Sequence, residues 1–320
     1  MLDIYKMPLV FNVYKPCGAP SLNSVYRFKK YLNYDYGKIG HFGTLDPFAE
    51  GILLIGVQGA QKMNDYVHSH MPKTYIGTGV FGVKTKSGDL TTEMISNNHI
   101  LEKFQQFSIN ELNELVKNEF HGEYWQRPHA YSATKHHGRR LYHLAQEGLI
   151  IEKEKVKRDV LSFRIKEFNY PKIVFEICVS SGTYIRSFFE DVAAFLGGDG
   201  HLIKLIRSSI GHLKIENSIL DSGWPIDGVQ FDLKKHGIPI DQLFILNELH
   251  FESYSAFRYM WGQRAPIKKA KLIEKENSYL PDLFWAYSED NLLGLAKIIN
   301  DRVTPVFNLP VAVELYAKKE

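Results

Sequence analysis

One carboxylate, Asp46, sits in the run Gly40-His41-Phe42-Gly43-Thr44-Leu45-Asp46-Pro47-Phe48-Ala49-Glu50-Gly51, flanked by glycines and followed directly by a proline. The apolar run from Ile52 to Val57 reads as a buried strand that anchors this loop. Loops held on rigid scaffolds carry a large share of protein chemistry, although a turn aspartate more commonly serves to shape its turn. A second feature is Arg186. The strand-like run 173–179 ends at Ser180-Ser181-Gly182, and Thr183 is placed to cap a helix starting at Tyr184. Ile185, Phe188, Phe189, Val192, Ala193 and Leu196 give that helix one apolar face, and Gly197-Gly198 ends it. Arg186 therefore falls in the first turn, where the helix dipole disfavours a cation by about 0.3–1 kcal/mol unless an anion lies close.

These residues need a folded scaffold, and the composition supplies one. The chain has 320 residues, 44% hydrophobic and 23% charged, which excludes a disordered or fibrous protein and leaves room for one large domain and a small one. A net charge of +3 is compatible with RNA binding without demanding it. The two cysteines, Cys17 and Cys178, make neither a disulfide framework nor a zinc motif and suit a reducing, cytoplasmic setting. No run is long enough to span a bilayer, so no membrane role is expected.

Along the chain, Ser21 is expected to cap a helix with Val25, Phe28 and Leu32 in step. Residues 73–83 read as a strand, and Ser108 to Phe120 as a helix. Residues 123–150 interleave Arg127, Lys135, His136, His137, Arg139, Arg140 and His143 with Tyr131 and Tyr142. This is either a solvated loop and helix, or an RNA-contacting arm whose cations meet phosphates while its rings stack on unpaired bases. After about residue 235 the pattern restarts, with a helix near Ser253–Trp261 and strand-like runs at Leu292–Ile299 and Val303–Leu309. The expected division is 1–235 and 236–320.

Several separated blocks together resemble the TruB-type pseudouridine synthases. The Asp46 segment is similar to that family's G-H-x-G-(T/S)-L-D-P-x-A-x-G pattern, and Lys15-Pro16-Cys17-Gly18 to its K-P-x-G opening. Lys73-Thr74-Tyr75 matches K-x-Y, and Gln126 to Lys135 resembles Q-x-P-P-x-Y-S-A-x-K. Gly182-Thr183-Tyr184-Ile185-Arg186 matches G-T-Y-I-R, and Leu205-Ile206-Arg207 with Gly211 closes the series. Three places depart from the pattern. Phe42 stands where threonine is usual, and His129 where a second proline is usual. Thr85 to Thr92 replaces T-D-T-x-D-x-x-G.

The resemblance implies an α+β fold: a mixed, mainly antiparallel pseudouridine-synthase-like sheet with flanking helices, and a small β-rich, PUA-like RNA-binding domain at the C-terminus. It implies a reaction in which the N-glycosidic bond of a uridine breaks, the uracil turns, and the base rejoins through C5. The substrate implied is the uridine at position 55 in the T-loop of tRNA. Asp46 becomes the catalytic carboxylate, as nucleophile at C1′ or as base at C2′, and Tyr75 the ring packing on the target base. Arg186 becomes the partner that keeps the carboxylate ionised against desolvation. His41, Tyr184 and Leu205 are implied substrate contacts, Lys15 and Pro16 support the site, and Lys135, Arg139 and Arg140 belong to an RNA-gripping arm. An isomerisation is redox-neutral and calls for no metal or cofactor, and a single chain is expected to act on the T-arm stem-loop. Two other readings stand beside it: a guide-RNA-dependent, dyskerin-like synthase, and an RNA-binding tRNA-folding factor with little catalysis.

Overall fold

The computed structural model describes residues 7–32, 37–132, 134–219, 233–276, 278 and 280–317. The first strand, β1 (Leu9–Lys15), leads into α1 (Ser21–Tyr31), β2 (Gly40–Phe42), β3 (Glu50–Val57), α2 (Asn64–His70) and β4 (Lys73–Phe81). A small hairpin, β5 (Lys84–Thr85) and β6 (Met94–Ser96), precedes α3 (Glu102–Gln105), α4 (Ile109–Phe120) and β7 (Gly122–Gln126). The basic segment then forms a second small hairpin, β8 (Lys135–His136) with β9 (Arg139–Arg140), and α5 (Leu141–Gln146). Two long strands, β10 (Val156–Asn169) and β11 (Lys172–Val179), lead to α6 (Ile185–Phe195) and β12 (Gly200–Ile210).

Apart from the two small hairpins, these strands build a ten-stranded sheet together with β13 (Leu213–Lys214) and, beyond α7 (Leu233–His236), β14 (Ile238–Pro239). Its order is β14-β1-β3-β12-β4-β11-β10-β7, with β2 on β3 and β13 on β12. Every pairing is antiparallel except β3 with β12, where Ile206 lies opposite Glu50. That one parallel pairing sets the end of the Asp46 loop beside β12.

The continuous apolar run of β3 follows from its central position. Leu53, Ile55 and Val57 point to one face, where they pack with Phe11 of β1 and with Val25 and Phe28 of α1. Ile52 and Leu54 point to the other, with Val10, Phe42 and Met63. Each fully buried side chain of this kind contributes roughly 1.5–3 kcal/mol. On the far half of the sheet, the apolar stripe of α6 packs Phe188 and Phe189 over Phe163 and Phe175, with Leu112 and Val116 of α4 in the same core. The helix expected from Ser108 to Phe120 is α4, and a capping box between Ser108 and Glu111, which the sequence reading does not single out, starts it.

Two expected caps are different. Ser21 makes no cap bond to α1. Its hydroxyl turns toward the Asp46 loop, donating to the Leu45 carbonyl at 2.8 Å and accepting the Leu45 amide at 2.9 Å. Thr183 donates back to the Ser180 carbonyl, and the helix begins after Tyr184, whose amide is received by Gln126 instead. Ser21 is taken by a tertiary partner, whereas the Thr183 hydroxyl closes the turn before the helix and a tertiary side chain, Gln126, receives the Tyr184 amide.

The C-terminal part forms a six-stranded sheet from β15 (Asn247–Phe251), α8 (Ser253–Met260), β16 (Ala265–Pro266), β17 (Ala270–Ile273), β18 (Phe284–Ser288), β19 (Asn291–Ile299) and β20 (Arg302–Asn308), closed by α9 (Pro310–Ala317). Its strand order is β16-β20-β19-β18-β15-β17. The helix and last two strands match the sequence reading, whereas β15, β17 and β18 are short strands that it did not resolve. Residues 220–232, beside the expected boundary at 235, lie outside the described residues. No described helix is long and apolar enough to cross a membrane.

Candidate active site

The Asp46 loop is held by buried donors aimed at its carbonyls. Lys15, at the end of β1, donates to Pro16 O at 2.8 Å, Pro47 O at 3.2 Å and Ala49 O at 2.7 Å. Burial lowers its pKa to about 8. Arg207, on β12, donates from Nε to Ile52 O at 2.8 Å and from its two terminal nitrogens to Thr44 O at 3.4 Å and Gly43 O at 3.3 Å. Gly51 permits this approach. Its φ is +110°, and a Cβ there would fall 2.4 Å from the Arg207 carbonyl oxygen. With Ser21 clamping Leu45, the backbone on both sides of Asp46 is fixed, which is what a reacting carboxylate requires.

Asp46 and Arg186 meet from positions 140 residues apart, Nε donating to Oδ2 at 2.8 Å. Exposure divides the roles: the Asp46 side chain is 31% exposed and that of Arg186 only 4%. Arg186 spends its remaining donors on the Ser87 carbonyl at 2.6 Å and the Tyr131 carbonyl at 3.0 Å. A second carboxylate, Asp89, stands 3.5 Å from Nη1. Asp89 is itself tied down, its Oδ1 accepting from Ser87 Oγ, the Thr91 amide and the Thr91 hydroxyl. The first-turn cation thus has two anions beside it, and the planar fork of arginine suits this divergent set of acceptors. Among the described residues, Asp46 Oδ1 accepts no protein hydrogen bond and is open to a substrate.

Two cavities share Thr44, Leu45 and Asp46 in their walls. The smaller, about 230 Å³, is lined also by Tyr75, Leu205, Tyr184, Lys73, His68 and Arg207. The larger, about 860 Å³, opens along Lys86, Tyr131, Arg140, Tyr142 and Arg186. Tyr75 comes from β4 opposite Arg207 of β12, and Leu205 sits opposite Gly77, so the pairing of β4 with β12 brings the ring and the apolar wall together. Gln126 grips the backbone of Tyr184 from both sides, at 2.7 and 2.8 Å, and Tyr184 Oη lies 3.2 Å from Thr134 Oγ1. Lys73, also in the wall, donates to Val67 O at 3.1 Å, Met71 O at 2.6 Å and the Ser181 hydroxyl. Burial, helped by the Arg207 charge, brings its pKa down to about 7.

The remaining expected contacts lie further out. His41 is on β2 opposite Ile55, half-buried, its basicity lowered by burial and by the charges of Arg207 and Arg140. It does not line either cavity, and its Nδ1 is buried without a hydrogen-bond partner among the described residues. Arg140 lines the larger cavity, with its guanidinium 6.0 Å from the Tyr142 ring centroid. Arg139 is exposed and paired with Glu147. Lys135 is in β8, and its side chain lies outside what is described. Among the described residues, no cluster of three or more His, Cys, Asp or Glu could hold a metal ion.

Asp89, Gln126 and Arg207 are the supports that sequence reasoning left without a role. Arg207 and Gln126 stand inside recognised blocks, and that was the one signal available. Asp89 stands in a segment that departs from the family pattern.

Comparison with known proteins places the chain in a family. The profile described as TruB family pseudouridylate synthase (N terminal domain) matches residues 29–185. A tRNA pseudouridine synthase B of Ureaplasma urealyticum serovar 10 is 34% identical over 221 residues, covering 68% of this chain and 92% of the relative. Its namesake from Clostridium tetani is 31% identical over 289 residues, covering 90% of this chain and 94% of the relative. Among solved structures, a chain of a Cbf5-Nop10-Gar1 complex superposes with a TM-score of 0.68 at 21% identity, covering 96% of this chain and 87% of that one, and so shares the fold. The chain belongs to the TruB family of pseudouridylate synthases.

Proposed function

We propose that this protein isomerises uridine to pseudouridine in the T-loop of tRNA, with Asp46 as the catalytic carboxylate. The observation that carries the reading is a half-open carboxylate held by a buried guanidinium where a one-nucleoside cavity meets a wider cleft. A base buried in an RNA loop has to leave its stack to reach such a cavity, at a cost of a few kcal/mol. Tyr75 offers the ring against which the extruded uracil packs, and Leu205 the apolar wall. Asp46 Oδ1 faces the sugar as nucleophile at C1′ or base at C2′ while Arg186 keeps the carboxylate charged. The names of the curated relatives support tRNA as the substrate.

In this reading the cleft between Asp46 and the 123–150 segment receives the T-arm, with Arg139, Arg140 and Lys135 meeting phosphates and His41 supporting the extruded loop. Residues 236–320 act as a PUA-like RNA-binding domain. Tyr254 on α8 is 74% exposed and Trp261, just past its end, 53%, and Lys268 and Lys269 follow nearby in the chain. One chain is sufficient, because Asp46, Tyr75, Arg186 and Leu205 all come from it, and the free cysteines Cys17 and Cys178 fit the cytoplasm.

Tritium release from C5-labelled uridine in an unmodified tRNA transcript, without any guide RNA, tests the reaction. Wild type should release tritium and Asp46→Asn should not. Equal release from the two proteins refutes the assignment, and release only after a guide RNA is added favours a dyskerin-like enzyme.

A further inference from the structure

Beneath Arg186 lies a buried group that the proposed reaction does not use. His129 is almost fully buried, and its Nδ1 accepts the Tyr131 amide at 3.0 Å. The Tyr131 carbonyl in turn receives Arg186 Nη2 at 3.0 Å. On the other side of the ring, Nε2 lies 3.7 Å from Glu190 Oε2, and Glu190 stands one turn after Arg186 on α6. Gly88 closes the assembly. Its φ is +69°, and a Cβ there would sit 3.3 Å from each of Arg186 Cβ, Glu190 Cδ and His129 Nε2.

We propose that His129 is a positioning residue for Arg186: its imidazole fixes the turn that aims the Tyr131 carbonyl at the guanidinium, a turn that a proline at 129 would stiffen through its ring instead. The proposal rests on the Asp46–Arg186 pair being the reaction centre. The hydrogen bonds assign the tautomer, since an Nδ1 that accepts the Tyr131 amide leaves the proton on Nε2, facing Glu190. Burial, with the charges of Arg186 and Lys84, lowers the His129 pKa to about 3, so the ring keeps its acceptor nitrogen throughout the neutral range. The main-chain amide of His129 makes no hydrogen bond among the described residues, so a proline there removes none. Leucine at 129 fills the volume but leaves the Tyr131 amide without its acceptor and the turn free to move, and a small misplacement of a catalytic group lowers turnover by up to about a hundredfold.

The test compares wild type, His129→Leu, His129→Pro and Arg186→Met in tritium release and in equilibrium binding of unmodified tRNA. His129→Leu should lower kcat about tenfold or more, with KM and the tRNA Kd within about twofold, and His129→Pro should recover most of that loss. Wild-type kcat in His129→Leu, a loss confined to KM, or a His129→Pro variant as impaired as the leucine variant overturns the proposal. If His129→Leu fails to fold, His129→Ala and His129→Asn decide: a tenfold loss of kcat in the alanine variant that asparagine recovers, its Oδ1 accepting the Tyr131 amide in place of Nδ1, supports the inference, and equal kcat in the two variants refutes it. Arg186→Met separates the two layers. Full turnover in that variant removes the reaction centre itself, whereas an inactive Arg186→Met beside a normal His129→Leu removes only the role given to His129.

Discussion

The sheet beside Asp46 and the 123–150 arm hold their cations in opposite ways. On the sheet side, Lys15, Lys73, Arg186 and Arg207 are buried, and each donates to backbone carbonyls: Lys15, Arg186 and Arg207 in the segments around Asp46, and Lys73 at the end of α2. On the arm side, Arg127 and Arg139 are exposed and held by single ion pairs to Glu152 and Glu147, while Arg140 lies near the Tyr142 ring. Exposed pairs of that kind contribute about 0–1 kcal/mol and exchange readily for a phosphate. Buried cations bonded to carbonyls are costly to disturb and are not free to meet RNA. In the reading proposed above, positive charge near the site has two separate jobs: the buried cations shape the loop that carries the carboxylate, and the exposed ones are the ones a nucleic acid would meet.

The largest expected effect that would sharpen this contrast is at Arg186. Arg186→Met should fold yet lose turnover by about a thousandfold, near 4 kcal/mol, because it removes the cation beside Asp46. Near-normal single-turnover rates would break the pairing of shape with chemistry. Gly51→Ala should come next, lowering stability by about 3 kcal/mol in urea unfolding, since its Cβ collides with the Arg207 backbone. An unchanged unfolding midpoint would show that the loop is looser than its contacts indicate.

A pH experiment probes the buried side more gently. Burial, opposed by Lys84 and Arg186 and aided by Asp191 and Asp199, raises the Glu190 pKa to about 7, above its ordinary value of 4.5. As pH rises from 4.5 to 7 the unfolded chain releases this proton while the folded chain retains it, so stability falls across that window. Glu190→Gln is neutral throughout. Its unfolding free energy relative to wild type should climb from pH 4.5 to 7 and then level off, by an amount on the order of 3 kcal/mol. A difference that is flat with pH would contradict the raised pKa. The smallest effect belongs to the arm. Arg140→Ala should weaken tRNA binding by about 1 kcal/mol and lower the salt slope by about one, leaving the rate at saturating tRNA in place. A lost rate with unchanged binding would move Arg140 to the other side of the comparison.

Much of the fold was legible because its signals are local. The buried β3 and the apolar stripes of α4 and α6 follow from periodicities of a few residues, and the structure contains all three. The short strands β15, β17 and β18 were not legible, since their runs of four or five residues carry too little alternation to stand out. Ser21 and Thr183 mislead for a related reason: both have the chemistry of a cap, and a distant or turn carbonyl receives their hydroxyls instead.

The sequence by itself determined which groups could do chemistry: a rigid aspartate loop, a cation misplaced in a first helical turn, and an aromatic strand, all in an order that resembles one family. It also named His129 and the 85–92 segment as departures. Only the tertiary structure decided that Arg186 meets Asp46 and Asp89 together, that Arg207 and Lys15 hold the loop, and that His129 sits behind the guanidinium. The reason is separation along the chain. A helix or a turn is closed by neighbours a few positions away, whereas the Asp46–Arg186 pair spans 140 positions and exists only because β3, β4 and β12 lie side by side.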